Sequence, residues 1–187
     1  MKTFFISDQH YGHENILKFK CLNGIDLIRP EFSSVEEMDE TMIQNHNKAV
    51  SPEDKVYFLG DVAMNGKVFN QVMPKLNGKK TLILGNHDKL RMDEYYKYFD
   101  NIYSSRYMGE ITPKLVLCHY PLHIDVNHPK SFINVHGHIH EKIIRRLGVP
   151  DPRYFNVSVE RINYTPIELD EMLCQIEQNK NWYEDRV

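Results

Sequence analysis

The sequence has little cysteine: Cys21, Cys118 and Cys174 are the three in 187 residues. An odd number, widely spaced, reads as reduced thiols in a cytoplasmic protein, and none has zinc-finger spacing. No apolar run approaches the length of a membrane span. The N-terminus "MKTFFISDQH" is apolar for only four residues before Ser7 and Asp8, too few for the core of a secretory signal. Neither sign of charge dominates. Lys and Arg total 23 against 26 Asp and Glu, for a formal net charge of −3 and a pI near 6.4. That removes the global electrostatic case for nucleic acid or an anionic membrane as partner. A Gly-rich phosphate loop of the Walker type is missing, as are repeats, low-complexity tracts and linkers. What remains is the length of one domain, residues 1–187, able to bury a sizeable core.

What the chain does have is histidine, ten in all. Three fall on alternate positions in "VHGHIH", as His136, His138 and His140. Alternate side chains of an extended segment share a side, but Gly137 makes a bend the expectation. The apolar segments at 3–7, 55–60, 81–85, 114–120, 131–137 and 155–160 read as strands. Helices are expected at 13–20, 33–50, 67–76, 93–99 and 167–178. The 33–50 helix opens with Ser33 and Ser34, each followed three residues later by Glu, a capping-box pattern. Strands and helices alternate in the first half and strands cluster in the second, which favours an α/β domain with two sheets or one mixed sheet.

The polar residues follow a rule. "FFIS" runs into Asp8 and His10, and "VYFLG" into Asp61. "LILG" runs into Asn86, His87 and Asp88, "LVLC" into His119, and "INVHG" into His138 and His140. Loops at strand ends are where α/β proteins build sites. A carboxylate or imidazole beside an apolar strand end is costly unless paired or ligated. Carboxylate, amide and imidazole donors without thiolate suit Mn²⁺, Fe²⁺, Co²⁺, Ni²⁺ or Zn²⁺. Seven such donors are too many for one tetrahedral ion. They fit two divalent ions about 3.5–4 Å apart sharing a bridging carboxylate, an apparatus for phosphoester hydrolysis.

The ordered blocks Asp8-Gln9-His10, Gly60-Asp61, Gly85-Asn86-His87-Asp88, His119 and Gly137-His138-Ile139-His140 resemble the pattern D-x-H, GD, GNH[DE], H, GHxH of the calcineurin-like metallophosphoesterases. The likeness spans about residues 3 to 160. The start "SDQHYGHENIL" is similar to small single-domain bacterial and phage members of that family. The resemblance implies a four-layer α-β-β-α sandwich with two mixed β-sheets. It implies Asp8, His10 and His140 on a first metal, Asp61 bridging, and Asn86, His119 and His138 on a second, with Mn²⁺ favoured. It also implies that His87 faces the scissile phosphate and that Asp88 orients its ring. The implied reaction is in-line attack on phosphorus by a hydroxide bridging the two ions.

The protein Ser/Thr phosphatase branch carries an arginine shortly after its GD block, whereas this chain reads "GDVAMNGK". That leaves a general phosphoesterase acting on a small phosphoester. A phosphodiesterase is favoured, because the chain has no room for a cap domain. The alternatives are a phosphomonoesterase or nucleotide pyrophosphatase, and a non-catalytic scaffold of the same fold; the presence of His87 speaks against the scaffold. Substrate-binding candidates are His13, which otherwise caps a helix, and Arg91, which otherwise is an exposed helix-start residue. His136 is expected to be structural, His46 to pack in the core, and His123 and His128 to lie in a solvated loop. "IIRR" at 143–146 reads as solvated charge and "YYKYF" at 95–99 as packing.

Overall fold

The computed structural model describes residues 1–123 and 132–184. His128 therefore lies outside the described residues, as does Ser131 at the start of the expected strand 131–137. In chain order the strands are β1 (Thr3–Ile6), β2 (Lys55–Phe58), β3 (Lys79–Ile83), β4 (Asn101–Tyr103), β5 (Ser105–Met108), β6 (Leu115–Cys118), β7 (Ile133–His136), β8 (Arg145–Arg146), β9 (Val149–Pro150), β10 (Tyr154–Asn156) and β11 (Ile167–Glu168). The helices are α1 (Val35–Ala49), α2 (Gly66–Val72), α3 (Met92–Tyr95) and α4 (Leu169–Glu184), with 3₁₀ turns at Glu14–Lys18, Met73–Lys75 and Val159–Arg161.

The strands form two mixed sheets. One has the order β11-β1-β2-β3-β4, with β11 antiparallel to β1 and the other pairs parallel. The second has the order β10-β7-β6-β5, with β5 antiparallel to β6 and the rest parallel. A small hairpin, β8-β9, stands apart from both. Strand periodicity sorts the core. Phe4, Ile6, Val56, Phe58 and Leu82 face Met38, Met42 and Ile43 of α1, Phe69 and Val72 of α2, and Tyr95 of α3. Their neighbours Phe5, Tyr57, Leu59 and Ile83 belong to a second cluster with Met108, Leu115, Leu117, Val135 and Phe155 of the other sheet. The first sheet is thus buried on both faces, which is why its strands read as continuous apolar runs. Met172 and Ile176 of α4 join the inter-sheet cluster.

Helix α1 begins where the serines predict. The Ser34 side chain accepts from the Glu37 N–H at 3.1 Å. Glu37 turns its carboxylate to Ser33, 2.9 Å from its N and 2.6 Å from its Oγ, so the reciprocal bond goes to the earlier serine. The expected strand 155–160 is shorter than its apolar pattern. It stops at Asn156, and the chain coils into the turn Val159–Arg161, which carries Glu160 inward.

Candidate metal centre

The strand ends turn sharply. Asp8 (φ 59°), His10 (50°), Asp61 (56°), His138 (70°) and His140 (53°) all adopt the left-handed region. For residues other than glycine this conformation is uncommon and strained, and such strain gathers at functional sites. Backbone bonds hold the loops against one another: Asp8 N donates to Gly60 O at 3.1 Å, His10 N to Asp61 O at 3.0 Å, and Gly137 N to His119 O at 3.0 Å. Two glycines make the approach possible. A Cβ on Gly137 would overlap Ser7 Oγ and Asp8 Oδ2, and one on Gly85 would overlap Asp61 Oδ1.

Two groups of ligand atoms converge: Asp8, His10 and His140, and Asp8, Asp61 and His119. The His10 and His140 rings stack at 5.3 Å. His138 approaches His119 at 5.1 Å between ring centroids. Asn86 Oδ1 lies 3.1 Å from His119 Nε2. His119 Nδ1 is 2.7 Å from the Leu59 carbonyl, which can only accept, so Nδ1 carries the proton. Nε2 and the Asn86 amide oxygen thus lie side by side at the strand ends, two atoms of metal-ligating type within 3.1 Å of one another.

Other atoms say the same. Asp8 Oδ1 and both ring nitrogens of His10 are buried without a hydrogen-bond partner, and buried polar atoms are seldom left so. Burial pushes the Asp8 carboxyl above its ordinary range, against the pull of His119 and His140. Burial, with His140 and Arg29 nearby, pushes His10 down to about 2, which leaves the neutral, ligating imidazole. A divalent cation would take up Asp8 Oδ1 and one of the two His10 ring nitrogens, and would offset the charge of the carboxylates. The donor set fits such an ion.

His87 lines the same cavity but belongs to neither group. Its ring meets His10 edge-on at 5.4 Å, and its backbone N–H donates to Asp61 Oδ1 at 2.8 Å. Asp88 departs from expectation. Its carboxylate accepts from Gly85 N (2.8 Å), Asp61 N (2.9 Å) and Val62 N (3.2 Å). With both oxygens turned into the loop backbone, Asp88 staples the ends of β2 and β3 and does not orient the His87 ring. His13 precedes the first 3₁₀ turn without capping it, and its ring lies 5.8 Å from His10 at the cavity. Arg91 lies apart from these residues: its side chain is 85% exposed, pairs with Asp93 at 3.1 Å and does not line the cavity. His136 is buried in β7, its Nδ1 2.8 Å from Gly137 O, outside both ligand groups. His46 packs in the core on Phe58, with Nε2 3.0 Å from Asn77 O. His123 is exposed.

The sequence reading missed the support beneath these ligands. His140 Nδ1 bonds Glu160 Oε1 at 2.9 Å. Glu160 is held by Arg29, through Nε and Nη2 at 2.8 Å each. The guanidinium is fully buried and also donates to Asp8 O at 2.6 Å and Gln9 O at 2.9 Å. Burial works against ionising Glu160, but Arg29 and His140 together hold its carboxyl below the ordinary range. Burial likewise works to lower His140, and the bond to Glu160 outweighs it. The other oxygen of Asp8, Oδ2, accepts from His138 N and Ser158 Oγ, each at 2.9 Å. No local pattern announces Arg29 or Glu160; they meet across 131 positions of sequence.

The candidate ligands His10, Asp61, Asn86, His138 and His140 share a cavity of about 320 Å³ with His87, His13, Ile16 and Phe19. Known proteins carry related chains. An uncharacterized protein, MJ1445, from Methanocaldococcus jannaschii is 36% identical over 96% of this chain and 93% of its own. The gene 66 protein of Mycobacterium phage D29 is 26% identical over 94% of this chain and 98% of its own. The crystal structure of AQ665, a protein of unknown function from Aquifex aeolicus, matches with a TM-score of 0.69 at 25% identity, over 93% of this chain and 98% of that one. The family model for calcineurin-like phosphoesterases matches residues 1–186. That match spans every strand end that carries a ligand, and the chain belongs to the calcineurin-like phosphoesterase family, as a metal-dependent phosphoesterase.

Proposed function

We propose that the chain hydrolyses phosphodiesters at a two-ion centre. Asp8, His10 and His140 would hold one ion, Asn86, His119 and His138 the other, with Asp61 between them. The position of Asp61 carries this reading. Its Oδ2 lies 3.6 Å from His10 Nε2 and 3.5 Å from His119 Nε2, so one carboxylate oxygen faces a histidine of each set. The mixed oxygen and nitrogen donors suit Mn²⁺ and its neighbours.

Divalent cations held by these residues would supply Lewis acidity, lowering the pKa of bound water and offsetting phosphoryl charge. The chain's own residues do the rest. The left-handed turns at the strand ends fix the ligand side chains. His87, edge-on to His10 in the same cavity, would protonate the leaving oxygen or steady the phosphoryl group. His13 lines the same cavity, its ring edge-on to His10 at 5.8 Å. A dianionic monoester calls for the concentrated charge that a guanidinium supplies. Among the described residues lining the cavity there is no arginine, which favours the singly charged diester. No helix among the described residues is long and apolar enough to cross a membrane. The cysteines Cys21, Cys118 and Cys174 are free, in keeping with a reducing cytoplasm. With Mn²⁺ restored, bis-p-nitrophenyl phosphate should be cleaved faster than p-nitrophenyl phosphate. A clear monoester preference across several metals would overturn the diester assignment.

A further inference from the structure

Three residues lining the metal cavity belong to neither ligand group and come from one short segment: His13, Ile16 and Phe19. The Phe19 ring meets the His13 ring edge-on at 5.5 Å, and His13 meets His10 at 5.8 Å. Ile16 is buried, whereas Phe19 is 47% exposed. The backbone holds Phe19 firmly. Its N–H donates to Ile16 O at 3.2 Å, and its carbonyl accepts from Ile28 N at 2.9 Å. Lys20 and Leu27 pair antiparallel just beyond it. The ring is thus presented to the cavity from the base of a small hairpin.

A half-exposed aromatic ring beside a polar ion site loses free energy to water until an apolar surface covers it. The cavity, about 320 Å³, lies at the lower end of small-molecule sites, which span about 300–1,000 Å³. It is larger than a phosphoryl group needs. The formal net charge of −3 disfavours a long polyanion. We propose that the segment His13–Phe19 is the subsite for the organic part of the substrate, and that this part is a nucleoside whose base lies on Phe19 while its phosphate lies at the metal centre. This rests on the phosphoesterase reading and adds the substrate class to it.

Base–aromatic stacking is worth about 1–3 kcal/mol, or roughly 5- to 150-fold in affinity. The test is calorimetric titration of the Mn²⁺-loaded protein with AMP, ribose 5-phosphate and inorganic phosphate. AMP should bind about 5- to 150-fold more tightly than ribose 5-phosphate. Phe19→Ala should abolish most of that ratio, and Phe19→Tyr should keep it. Equal affinities for AMP and ribose 5-phosphate in the unsubstituted protein would overturn the subsite and leave the phosphoesterase reading standing, whether or not Phe19→Ala folds. Binding of none of the three by protein shown to hold its metal would overturn the subsite, and would overturn the phosphoesterase reading as well only if the same protein also failed to cleave bis-p-nitrophenyl phosphate. An oligonucleotide lacking a terminal phosphate that outcompetes AMP would overturn the assignment to a small nucleotide.

Discussion

His87 shares the cavity with the ligand atoms but joins neither converging group. On the general-acid reading, His87→Ala should leave the metal content intact and lower kcat by a factor on the order of 10²–10⁴. The loss should shrink for esters with very good leaving groups, which need little protonation. Equal losses for good and poor leaving groups would assign His87 to positioning the phosphoryl group instead. Arg29 and Glu160 act one step back. Glu160 fixes the His140 ring through Nδ1, and Arg29 ties Glu160 to the backbone of the Asp8 loop. Removing a group that orients a ligating histidine typically lowers metal affinity about 10- to 100-fold. Glu160→Gln should weaken the ion held by Asp8, His10 and His140 by that factor, read by metal titration, and spare the other ion. Equal weakening of both ions would mean that the substitution acts through the fold and not through His140.

Helix α1 shows what an element contributes beyond its cap. Its buried face carries Met38, Met42 and Ile43, and also His46. Burial, with Lys80 nearby, pushes the His46 imidazole down to about 4, against an ordinary value of about 6.5 in the unfolded chain. Between those two values the unfolded chain takes up a proton that the folded chain refuses. Stability then rises with pH through that window. The contribution is fully present above pH 6.5 and is lost progressively as pH falls towards 4, by roughly 3 kcal/mol in all. Urea unfolding in chelator across that range should give a steeper pH slope for the natural chain than for His46→Gln. The same slope in both would show that His46 is not held neutral in the core.

At the scale of the whole molecule, parallel strands in two sheets deliver their ends to one place. The loops after β1, β2, β3, β6 and β7 meet there, locked by bonds such as Gly137 N to His119 O. The outcome is a set of buried atoms on Asp8 and His10 that have no protein hydrogen-bond partner and are of the types that ligate a cation. Saturated protein should hold two divalent ions per chain, counted by elemental analysis. Chelation should abolish activity, and Mn²⁺ should restore it. Filling one site at 100 times its Kd adds about 2.7 kcal/mol, so Tm should rise by roughly 5–10 °C for a chain of this size. One ion per chain at full activity would refute the two-ion reading.

The sequence by itself determined the apolar strands and the residue types at their ends, because strand burial and ligand chemistry are written in local runs. Asp8, His10, Asp61, His119 and His140 could be named that way, and the structure brings them together in two groups. The capping serines of α1 were legible for the same reason, since a cap and its acceptor lie three residues apart. Only the tertiary structure decided the rest. Asp88 reads like a partner of its neighbour His87, yet folding turns it to the backbone of Asp61 and Gly85. Arg91 follows the same motif but ends in solvent beside Asp93. Arg29 and Glu160 are separated by 131 positions and become partners only when the chain closes on itself. Pairing between distant residues depends on where the backbone travels, and neither periodicity nor spacing encodes that path.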